Sequence, residues 1–368
     1  MRTVDQRLRI LHVVEAFGGG VYEMVRLLAA GLAARSHVVG LAYGIRPETP
    51  TDVEATIDTR IEPFAMPWTQ RNLSAQFGAF GRLRELVREW QPSVVHLHSS
   101  FAGAVGAAAV GSHTPTVYSP HGYSFTMAHS RLRRQGYRNL ERLVASRVSA
   151  VGAISHSEAV LAERLGTAKR VVAVPNGIPE LDQPLTGPLA VDRPAGVIAM
   201  GRIMAQRQPD QVAEILGSVR DLAPVAWVGG GRQGDSGVQR LRAAEIPLTG
   251  WLSREEAMAH LSRASAYLHW TAWDGAPLSV LEAMAKDVVV VASDVPANRE
   301  LLSPQQVFSS VPDATAFLRR VVTDRDLRAE LLSGQRARRA AFSAEAMTEN
   351  WLTVYDSLRS AETVGSLR

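Results

Sequence analysis

The chain contains no cysteine. Disulfide frameworks, cysteine-based zinc sites and thiol nucleophiles are therefore excluded, and such a composition is typical of a reducing compartment. Three short motifs are also missing: the Gly-x-Ser-x-Gly nucleophile elbow, the Walker A phosphate loop and the His-Glu-x-x-His zinc pair. Enzymes that depend on those motifs are disfavoured.

Long apolar runs are missing as well. No segment approaches the roughly 18 consecutive apolar residues of a membrane-spanning helix. The apolar stretch at 10–14 is too short for a secretion signal and is followed by Glu15. Residues 101–111 are apolar but consist mostly of Gly and Ala, which predicts a packed helix. We therefore expect a cytoplasmic protein.

Lysine is scarce, occurring only at Lys169 and Lys286, so arginine supplies almost all of the positive charge. The formal net charge is +4. Arginine stays charged at any working pH, and its planar head binds phosphate groups through two hydrogen bonds at once.

The chain is long enough for two ordinary globular domains. It has 368 residues, of which 46% are hydrophobic and 21% charged, and a domain averages roughly 150 residues. Short apolar strands, predicted for example at 9–14, 116–119, 225–228 and 266–269, alternate with amphipathic helices. This alternation predicts the α/β class, with two doubly wound parallel sheets that are covered by helices on both faces.

A stretch rich in Pro, Gly and Leu separates the two predicted domains. It gives an N-terminal domain at 1–182, a linker at 183–194 and a C-terminal domain at 195–368. A last amphipathic helix, at 344–358, is expected to pack back on the first domain. The loops at the carboxyl ends of the strands would face a cleft between the domains.

Two carboxylates with seven residues between them, Asp274 and Glu282, flank a Gly-Ala-Pro turn and the start of a predicted helix. Pro277 suits the first helical position. The N–H groups of Leu278 and Ser279 would then point out of the helix end, where an anion is favoured. This pattern indicates a phosphate site between two groups that bind hydroxyls. The alternative is an acidic cap followed by a solvated glutamate.

Arg202 and Arg207 follow the first predicted strand of the second domain. From a loop at a strand end both could reach one diphosphate, or they could be ordinary surface arginines. The run 229–234 satisfies Gly-x-Gly-x-x-Gly, but its helix is delayed and the next strand ends in Thr249 rather than an acid. A dinucleotide site is disfavoured, whereas close approach of a ligand to Gly230 fits.

Strand ends of the first domain carry histidines. His96 and His98 share one face of a strand, and without further ligands a polar strand end facing the cleft is favoured over a metal site. His121 follows the next strand and has either a structural or a ligand-binding role. The glycines at 18–20 form either a tight turn or a phosphate-binding loop, and one loop could do both.

A cluster of basic residues lies just before one predicted helix and along it. It is either a solvated face or a surface for anionic lipid headgroups or a pyrophosphate-linked acceptor. Nucleic acid is disfavoured because, apart from Tyr137, no aromatic residues are interleaved and no known binding module is present. The cluster consists of Arg131, Arg133, Arg134, Arg138, Arg142 and Arg147.

Taken together, these motifs resemble the retaining glycosyltransferases of family 4, which have the GT-B fold of two Rossmann-like domains. Asp274 and Glu282 match the spaced acids of the family's Glu-Gly-x-Pro/Gly-x-x-x-Leu-Glu-Ala-Met-Ala motif. Segment 201–207 matches Gly-Arg-Leu/Ile-x-x-x-Lys. The resemblance spans essentially the whole chain and is greatest to bacterial enzymes of exopolysaccharide, capsule or O-antigen assembly. Further matches are 94–100, 120–122 and 174–178.

The resemblance implies a role for each matching residue. Arg202 and Arg207 would bind the donor diphosphate and stabilise the leaving nucleotide, Glu282 would bind the ribose, and Asp274 the donor hexose. His121 would touch the sugar near its anomeric carbon. The other implied donor-binding residues are Gly19, Gly20, Gly230, Trp251, Gly275, Leu278 and Ser279. The implied acceptor-binding residues are His98, Ser99 and Tyr123.

The implied activity is transfer of a hexose or N-acetylhexosamine from a nucleotide sugar, most simply a UDP-sugar, to a lipid-linked or glycan acceptor. No metal or other cofactor is implied, because arginines neutralise the diphosphate. Asp274 stands where the family has Glu, and Arg207 where it has Lys. Because of these two departures, the identity of the donor is not implied by the resemblance. Three alternatives remain: a sugar-nucleotide epimerase of the same fold, an inactive nucleotide-sugar-binding homologue, and a nicotinamide enzyme.

Overall fold

A computed structural model describes residues 7–45, 49, 52–70, 72–127, 130–181, 188–194, 196–232 and 234–365. The chain divides into two compact units. Unit 1 comprises 1–179 and 344–368, and unit 2 comprises 180–343. Residues 183–187 of the predicted linker and Gln233 of the glycine-rich run lie outside the described residues. No helix among those described has the length and apolar character needed to cross a bilayer.

Unit 1 alternates strands and helices. In chain order they are β1 (Arg9–Val14), α1 (Gly19–Ala34), β2 (Val38–Gly44), β3 (Ile61–Met66), α2 (Leu73–Trp90), β4 (Val94–His98), α3 (Ser100–Ala109), β5 (Thr116–Ser119), α4 (Ser124–Met127), α5 (Arg131–Arg147), β6 (Ala150–Ala153), α6 (His156–Leu165) and β7 (Val171–Ala173).

The described strands of unit 1 form a seven-stranded sheet in the order β3-β2-β1-β4-β5-β6-β7, and every described pairing is parallel. The order reverses between β1 and β4, where doubly wound sheets bind their ligands. His12 of β1 lies beside His96 of β4 in this register. The switch point is therefore lined by histidines.

Unit 2 repeats the design. Its elements are β8 (Val197–Met200), α7 (Pro209–Gly217), β9 (Val225–Val228), α8 (Ser236–Ala243), α9 (Arg254–Arg263), β10 (Ala266–His269), α10 (Leu278–Ala285), β11 (Val289–Ser293), α11 (Pro296–Leu301), β12 (Val307–Phe308), α12 (Val311–Thr323) and α13 (Arg325–Arg338). The described strands pair in parallel in the order β12-β11-β10-β8-β9. The predicted α/β class with two parallel sheets is confirmed.

The chain ends in α14 (Ala344–Gly365), which belongs to unit 1. Trp351 and Tyr355 are fully buried in the same apolar cluster as Ile10, Val94 and α1. Parallel strands buried on both faces need cover on each side, and α14 supplies part of it on the α1 side. The opposite face is covered by α2, α3 and α5.

Several boundaries differ from those that the apolar pattern of the sequence predicts, namely helices that start at 77 and at 138 and a strand at 247–249. Helix α2 begins at Leu73 rather than at 77, because the Asn72 side chain caps it by accepting the Ala75 N–H at 2.8 Å. Helix α5 likewise begins at Arg131 rather than at 138, because the Ser130 side chain caps it by accepting the Arg133 N–H at 3.2 Å. The predicted strand at 247–249 is wrong, since only isolated bridges at Leu248 and Gly250 form.

Close contact between Gly152 and α14 generates the first prediction. A Cβ atom at Gly152 would lie 2.3 Å from Trp351 Cη2 and 3.1 Å from Val117 Cγ1. Gly152→Ala should therefore destabilise unit 1 by about 1–3 kcal/mol, the usual cost of overpacking. Urea unfolding would measure it.

The matched control is Gly81→Ala in α2, where nothing lies within 4 Å of the new methyl group. A helical Gly→Ala change in open space should stabilise unit 1 by roughly 0.5–1 kcal/mol. Equal effects of the two substitutions would contradict the packing described for α14.

Candidate active site

The site of unit 2 is built where β8, β9 and β10 end side by side. Gly201 follows β8 and Gly229 follows β9, with φ angles of +122° and +131°. A Cβ atom at Gly229 would lie 2.3 Å from the Gly201 carbonyl oxygen. Only glycine permits both the backbone angle and the approach, so these loops run in direct backbone contact.

Arg207 connects the loop after β8 to the loop after β10. Its Nη1 lies 3.1 Å from Asp274 Oδ2 and 2.6 Å from His269 Nε2. The neighbouring Gln206 side chain donates to the Trp273 carbonyl at 2.8 Å, and the Gln206 carbonyl accepts the Ala272 N–H at 2.8 Å. These contacts bring two predicted residues, Arg207 and Asp274, into one ion pair.

His269 and Asp274 carry opposite pKa shifts. Burial raises the pKa of Asp274, while the Arg207 guanidinium opposes that shift. Burial, assisted by the charge of Arg207, holds the pKa of His269 well below its usual range. His269 is thus a neutral ring that accepts from Arg207 at Nε2 and carries its proton on Nδ1. That Nδ1 is buried without a partner among the described residues.

Glu282 lies on the second turn of α10 and is buried, with 5% of its surface exposed. Its Oε1 accepts from Arg254 Nη1 at 2.5 Å. A buried carboxylate needs such a partner, because an unpaired charge in the interior is costly. The alternative of a solvated glutamate is therefore wrong.

Arg202 has a different environment from Arg207. Its guanidinium carbon lies 5.7 Å from the centre of the Trp251 ring, and Trp251 is 64% exposed. A Cβ atom at Gly230 would lie 2.9 Å from Trp251 Nε1, so the indole rests on the bare backbone of Gly230. Arg202, Gly230 and Trp251 thus form a second group of predicted residues.

The helix start after Asp274 differs slightly from expectation. Pro277 is the N-cap, and the first helical residue is Leu278. No side chain in the described part of the protein caps this end, and the Ser279 hydroxyl accepts from the Tyr267 hydroxyl at 2.9 Å. Gly275 donates its N–H to Asp274 Oδ1 at 2.8 Å, which fixes the carboxylate just before the helix.

In unit 1, Gly19 and Gly20 begin α1 rather than form a loop before it. Ser99 has a left-handed backbone, with φ +75°, and its N–H donates to the Ser119 carbonyl at 2.9 Å. Tyr123 is buried, and its hydroxyl has no partner among the described residues. Of the predicted acceptor residues, Ser99 and Tyr123 thus lie after β4 and β5, and His98 is the last residue of β4.

His96 is fully hydrogen-bonded. The Ser119 hydroxyl donates to the Gly152 carbonyl at 2.6 Å, so it accepts from His96 Nε2, 2.8 Å away. His96 Nδ1 therefore accepts from the Tyr355 hydroxyl at 2.7 Å. His96 is neutral and tied to α14, which is a structural role rather than a position facing a ligand.

His98 is hydrogen-bonded to both His12 and His121, so these three side chains form a second series of linked rings. Nitrogen atoms of His12, His96 and His98 lie within 4.8 Å of one another, so these three could offer ligands to a metal such as Zn²⁺. His96 would first have to give up one of its two hydrogen bonds. Most of the ring nitrogens of these three histidines already take part in hydrogen bonds.

Three residues of these sites are not predicted from the sequence: His12, Arg254 and His269. A signal existed for the two histidines, because each is a polar residue within an otherwise apolar strand. Arg254 carried no signal beyond its place at the start of a helix. Its pairing with Glu282 depends on how α9 packs beside α10, which residue spacing does not reveal.

Comparison with known proteins identifies the family. The model of Glycosyltransferase Family 4 matches residues 18–180, and that of Glycosyl transferases group 1 matches 194–323. This chain is a family-4-type glycosyltransferase. It is 23% identical over 278 residues to the Escherichia coli UDP-Gal:alpha-D-GlcNAc-diphosphoundecaprenol alpha-1,3-galactosyltransferase, covering 67% of this chain and 70% of that one.

Solved structures confirm that the glycosyltransferase has the GT-B fold. Sucrose-phosphate synthase from Thermosynechococcus elongatus superposes with a TM-score of 0.79 at 17% identity, covering 96% of this chain and 100% of that chain. Anabaena HepE in complex with UDP and glucose superposes with a TM-score of 0.77 at 16% identity, with coverages of 95% and 100%.

The buried histidines of this glycosyltransferase predict a pH-dependent stability. Burial lowers the pKa of His12 and of His121 to about 3 and holds the pKa of His96 and of His98 well below its usual range. Below about pH 6.5 the unfolded chain takes up protons that the folded unit 1 does not. Its free energy of unfolding should then fall by up to about 1.4 kcal/mol per pH unit for each histidine.

Urea unfolding between pH 7 and pH 5 would measure this slope. His12→Gln should lower the number of protons taken up on unfolding, and with it the slope, by about one proton. His113→Gln, at an exposed position, serves as the control. If His12→Gln leaves the slope of the wild type unchanged, the burial of this histidine as a neutral base is wrong.

Proposed function

We propose that the protein is a retaining glycosyltransferase of bacterial surface polysaccharide biosynthesis. It would move a hexose or N-acetylhexosamine from a UDP-sugar to a lipid-linked or glycan acceptor. Two comparisons support this: one relative is named as using UDP-Gal and a diphosphoundecaprenol-linked acceptor, and one structural neighbour holds UDP and glucose.

The observation that carries the proposal is the presence in unit 2 of two ion pairs that involve four residues of its loops and helices. Arg207 lies against Asp274 at 3.1 Å, and Glu282 lies against Arg254 at 2.5 Å. A diphosphate would compete with Asp274 for Arg207, which frees the Asp274 carboxylate to accept from hexose hydroxyls. Glu282 would accept from the ribose, and the exposed Trp251 face offers a surface for the base.

The reaction separates charge, and the site would stabilise the separated charges. Breaking the sugar–phosphate bond leaves negative charge on the diphosphate, which Arg202, Arg207 and the start of α10 would stabilise. The positive sugar ring is attacked on the face that the diphosphate leaves, and a diphosphate oxygen takes the acceptor proton. This step retains the configuration and requires no metal. The resemblance also assigns His121 a contact with the donor hexose.

Nucleotide binding tests the donor site. We expect a UDP-sugar, but not a GDP- or dTDP-sugar, to raise the unfolding temperature, since ligand at 100 times its Kd adds about 2.7 kcal/mol. Arg207→Ala and Arg202→Ala should each weaken binding about tenfold or more, because each removes a charged partner of the diphosphate.

Arg220→Ala is the matched control, since Arg220 is a surface residue of unit 2 that pairs with Glu245. Transfer from the bound donor to a polyprenyl-diphosphate-linked sugar, with the anomeric configuration determined by NMR, then tests catalysis. Binding without transfer would favour an inactive homologue. No binding to any nucleotide sugar would contradict the proposal.

We further propose that α5 docks the protein on the inner face of the cell membrane. Its first turn is exposed and contains Arg131, Arg133 and Arg134 around Leu132, which is 85% exposed. Arg138 and Arg142 are part-buried, with Arg138 over Phe125 and Arg142 donating to the Leu165 carbonyl at 3.3 Å. The headgroup-binding surface is thus the first turn rather than the whole predicted cluster.

Vesicle sedimentation tests this surface. Replacing Arg131, Arg133 and Arg134 by Glu should abolish binding to vesicles that contain anionic lipid, since each basic residue contributes about 1 kcal/mol at such a surface. The charge-matched control replaces Arg164, Lys169 and Arg170, which are exposed elsewhere on unit 1. An equal loss of vesicle binding in the two triple variants would mean that binding depends on the net charge of the protein and not on this surface.

A further inference from the structure

A chain of three histidines runs along the switch point of the unit 1 sheet and ends at His121. His12 Nδ1 lies 3.0 Å from His98 Nε2, and His98 Nδ1 lies 2.9 Å from His121 Nε2. His12 and His98 are fully buried, whereas His121 is part-buried. Both nitrogens of His98 are therefore engaged.

The direction of these hydrogen bonds follows from the buried end of the chain. His12 Nε2 is buried and has no hydrogen-bond partner among the described residues. A proton on that atom would be a buried N–H without a partner, which folded proteins avoid where another tautomer is possible. At His269 no other tautomer is possible, because Arg207 can only donate to its Nε2, whereas His12 can carry its proton on Nδ1. The proton of His12 therefore lies on Nδ1 and is donated to His98 Nε2.

The remaining protons are then fixed in turn. A neutral His98 that accepts at Nε2 carries its proton on Nδ1 and donates it to His121 Nε2. A neutral His121 that accepts at Nε2 carries its own proton on Nδ1. The described residues make no hydrogen bond to that atom, so its N–H is available to a ligand.

The backbone holds His121 in place as well. Its φ angle is +56°, a left-handed conformation that is strained for a residue other than glycine. The next residue, Gly122, has φ +93° and donates its N–H to Glu158 Oε1 at 2.6 Å. Strain of this kind persists only where surrounding contacts determine the conformation.

We propose that His12 and His98 are positioning residues that fix His121 as a neutral ring with its proton on Nδ1, so that His121 donates a hydrogen bond to an oxygen atom of the substrate. The inference rests on the proposed function in one respect, because that oxygen is taken to belong to the donor hexose. A neutral donor suits this position, since an imidazolium would repel the positive charge that develops on the sugar ring.

The proton position can be measured on the wild-type protein without any assay of transfer. Protonated and unprotonated imidazole nitrogens have widely separated ¹⁵N chemical shifts, so long-range ¹H–¹⁵N spectra at pH 7 report the proton position in each ring. The His121→Ala spectrum assigns the signals. We expect protonated Nδ1 and unprotonated Nε2 in His121. The opposite arrangement, or a charged ring, would overturn the inference.

Two substitutions at His98 form a matched pair. An Asn amide occupies the position of imidazole Nδ1, so His98→Asn can still donate to His121 but loses His12. A Gln amide occupies the position of Nε2, so His98→Gln keeps the contact with His12 but loses His121. The spectrum of His121 should keep the wild-type proton position in His98→Asn and lose it in His98→Gln.

Kinetics separate positioning from stability. We expect kcat to fall about tenfold or more in His98→Gln, because a displaced group near the reacting atoms is costly, with the donor KM nearly unchanged. His98→Asn should restore most of kcat. Equal kcat losses in the two variants, or no loss in either, would overturn the inference.

The design distinguishes the inference from the proposed function. If no sugar is transferred, the proposed function fails, while the proton position in wild-type His121 still decides the inference. If His98→Gln does not fold, the wild-type spectrum and His98→Asn decide it.

Discussion

Both parallel sheets are buried on both faces, and most of the polar chemistry of this protein follows from that constraint. Inside such a sheet a polar side chain meets no water, so it must find a protein partner or stand at a strand end. His96 satisfies both of its nitrogens through Ser119 and Tyr355. His98 and His269 stand at the last positions of β4 and β10, where polar groups can meet a ligand.

The two units meet this constraint differently. Unit 2 uses paired charges: Arg207 with Asp274 in the loops after two strands, and Arg254 with Glu282 between α9 and α10. Unit 1 uses neutral rings in the corresponding place, the switch point between β1 and β4. Charged groups suit a diphosphate and its hydroxyl-bearing sugars, whereas neutral donors suit a sugar ring that becomes positive. The chemistry of each unit thus fits the part of the reaction proposed for it.

Much of the fold could be predicted from the sequence because parallel strands have a strong local pattern. The predicted bounds of β1, β5, β9 and β10 agree with the structure. Helix starts were missed where a single capping residue, Asn72 or Ser130, extended the helix beyond its apolar pattern. Pairings such as Arg254 with Glu282, and His12 with His98, were not predictable, because each joins residues that are distant in sequence. The roles of the individual site residues still rest on the resemblance.

Helix α14 also bears on the order in which the protein is synthesised. The segment 180–343 forms unit 2 and is continuous, so its core can close as soon as that segment has left the ribosome. Unit 1 has to wait for α14, because Met347, Trp351 and Tyr355 complete its core cluster. Domains usually fold as units in the order of synthesis. The core of unit 1 can therefore be completed only after the whole of the unit 2 segment has been synthesised.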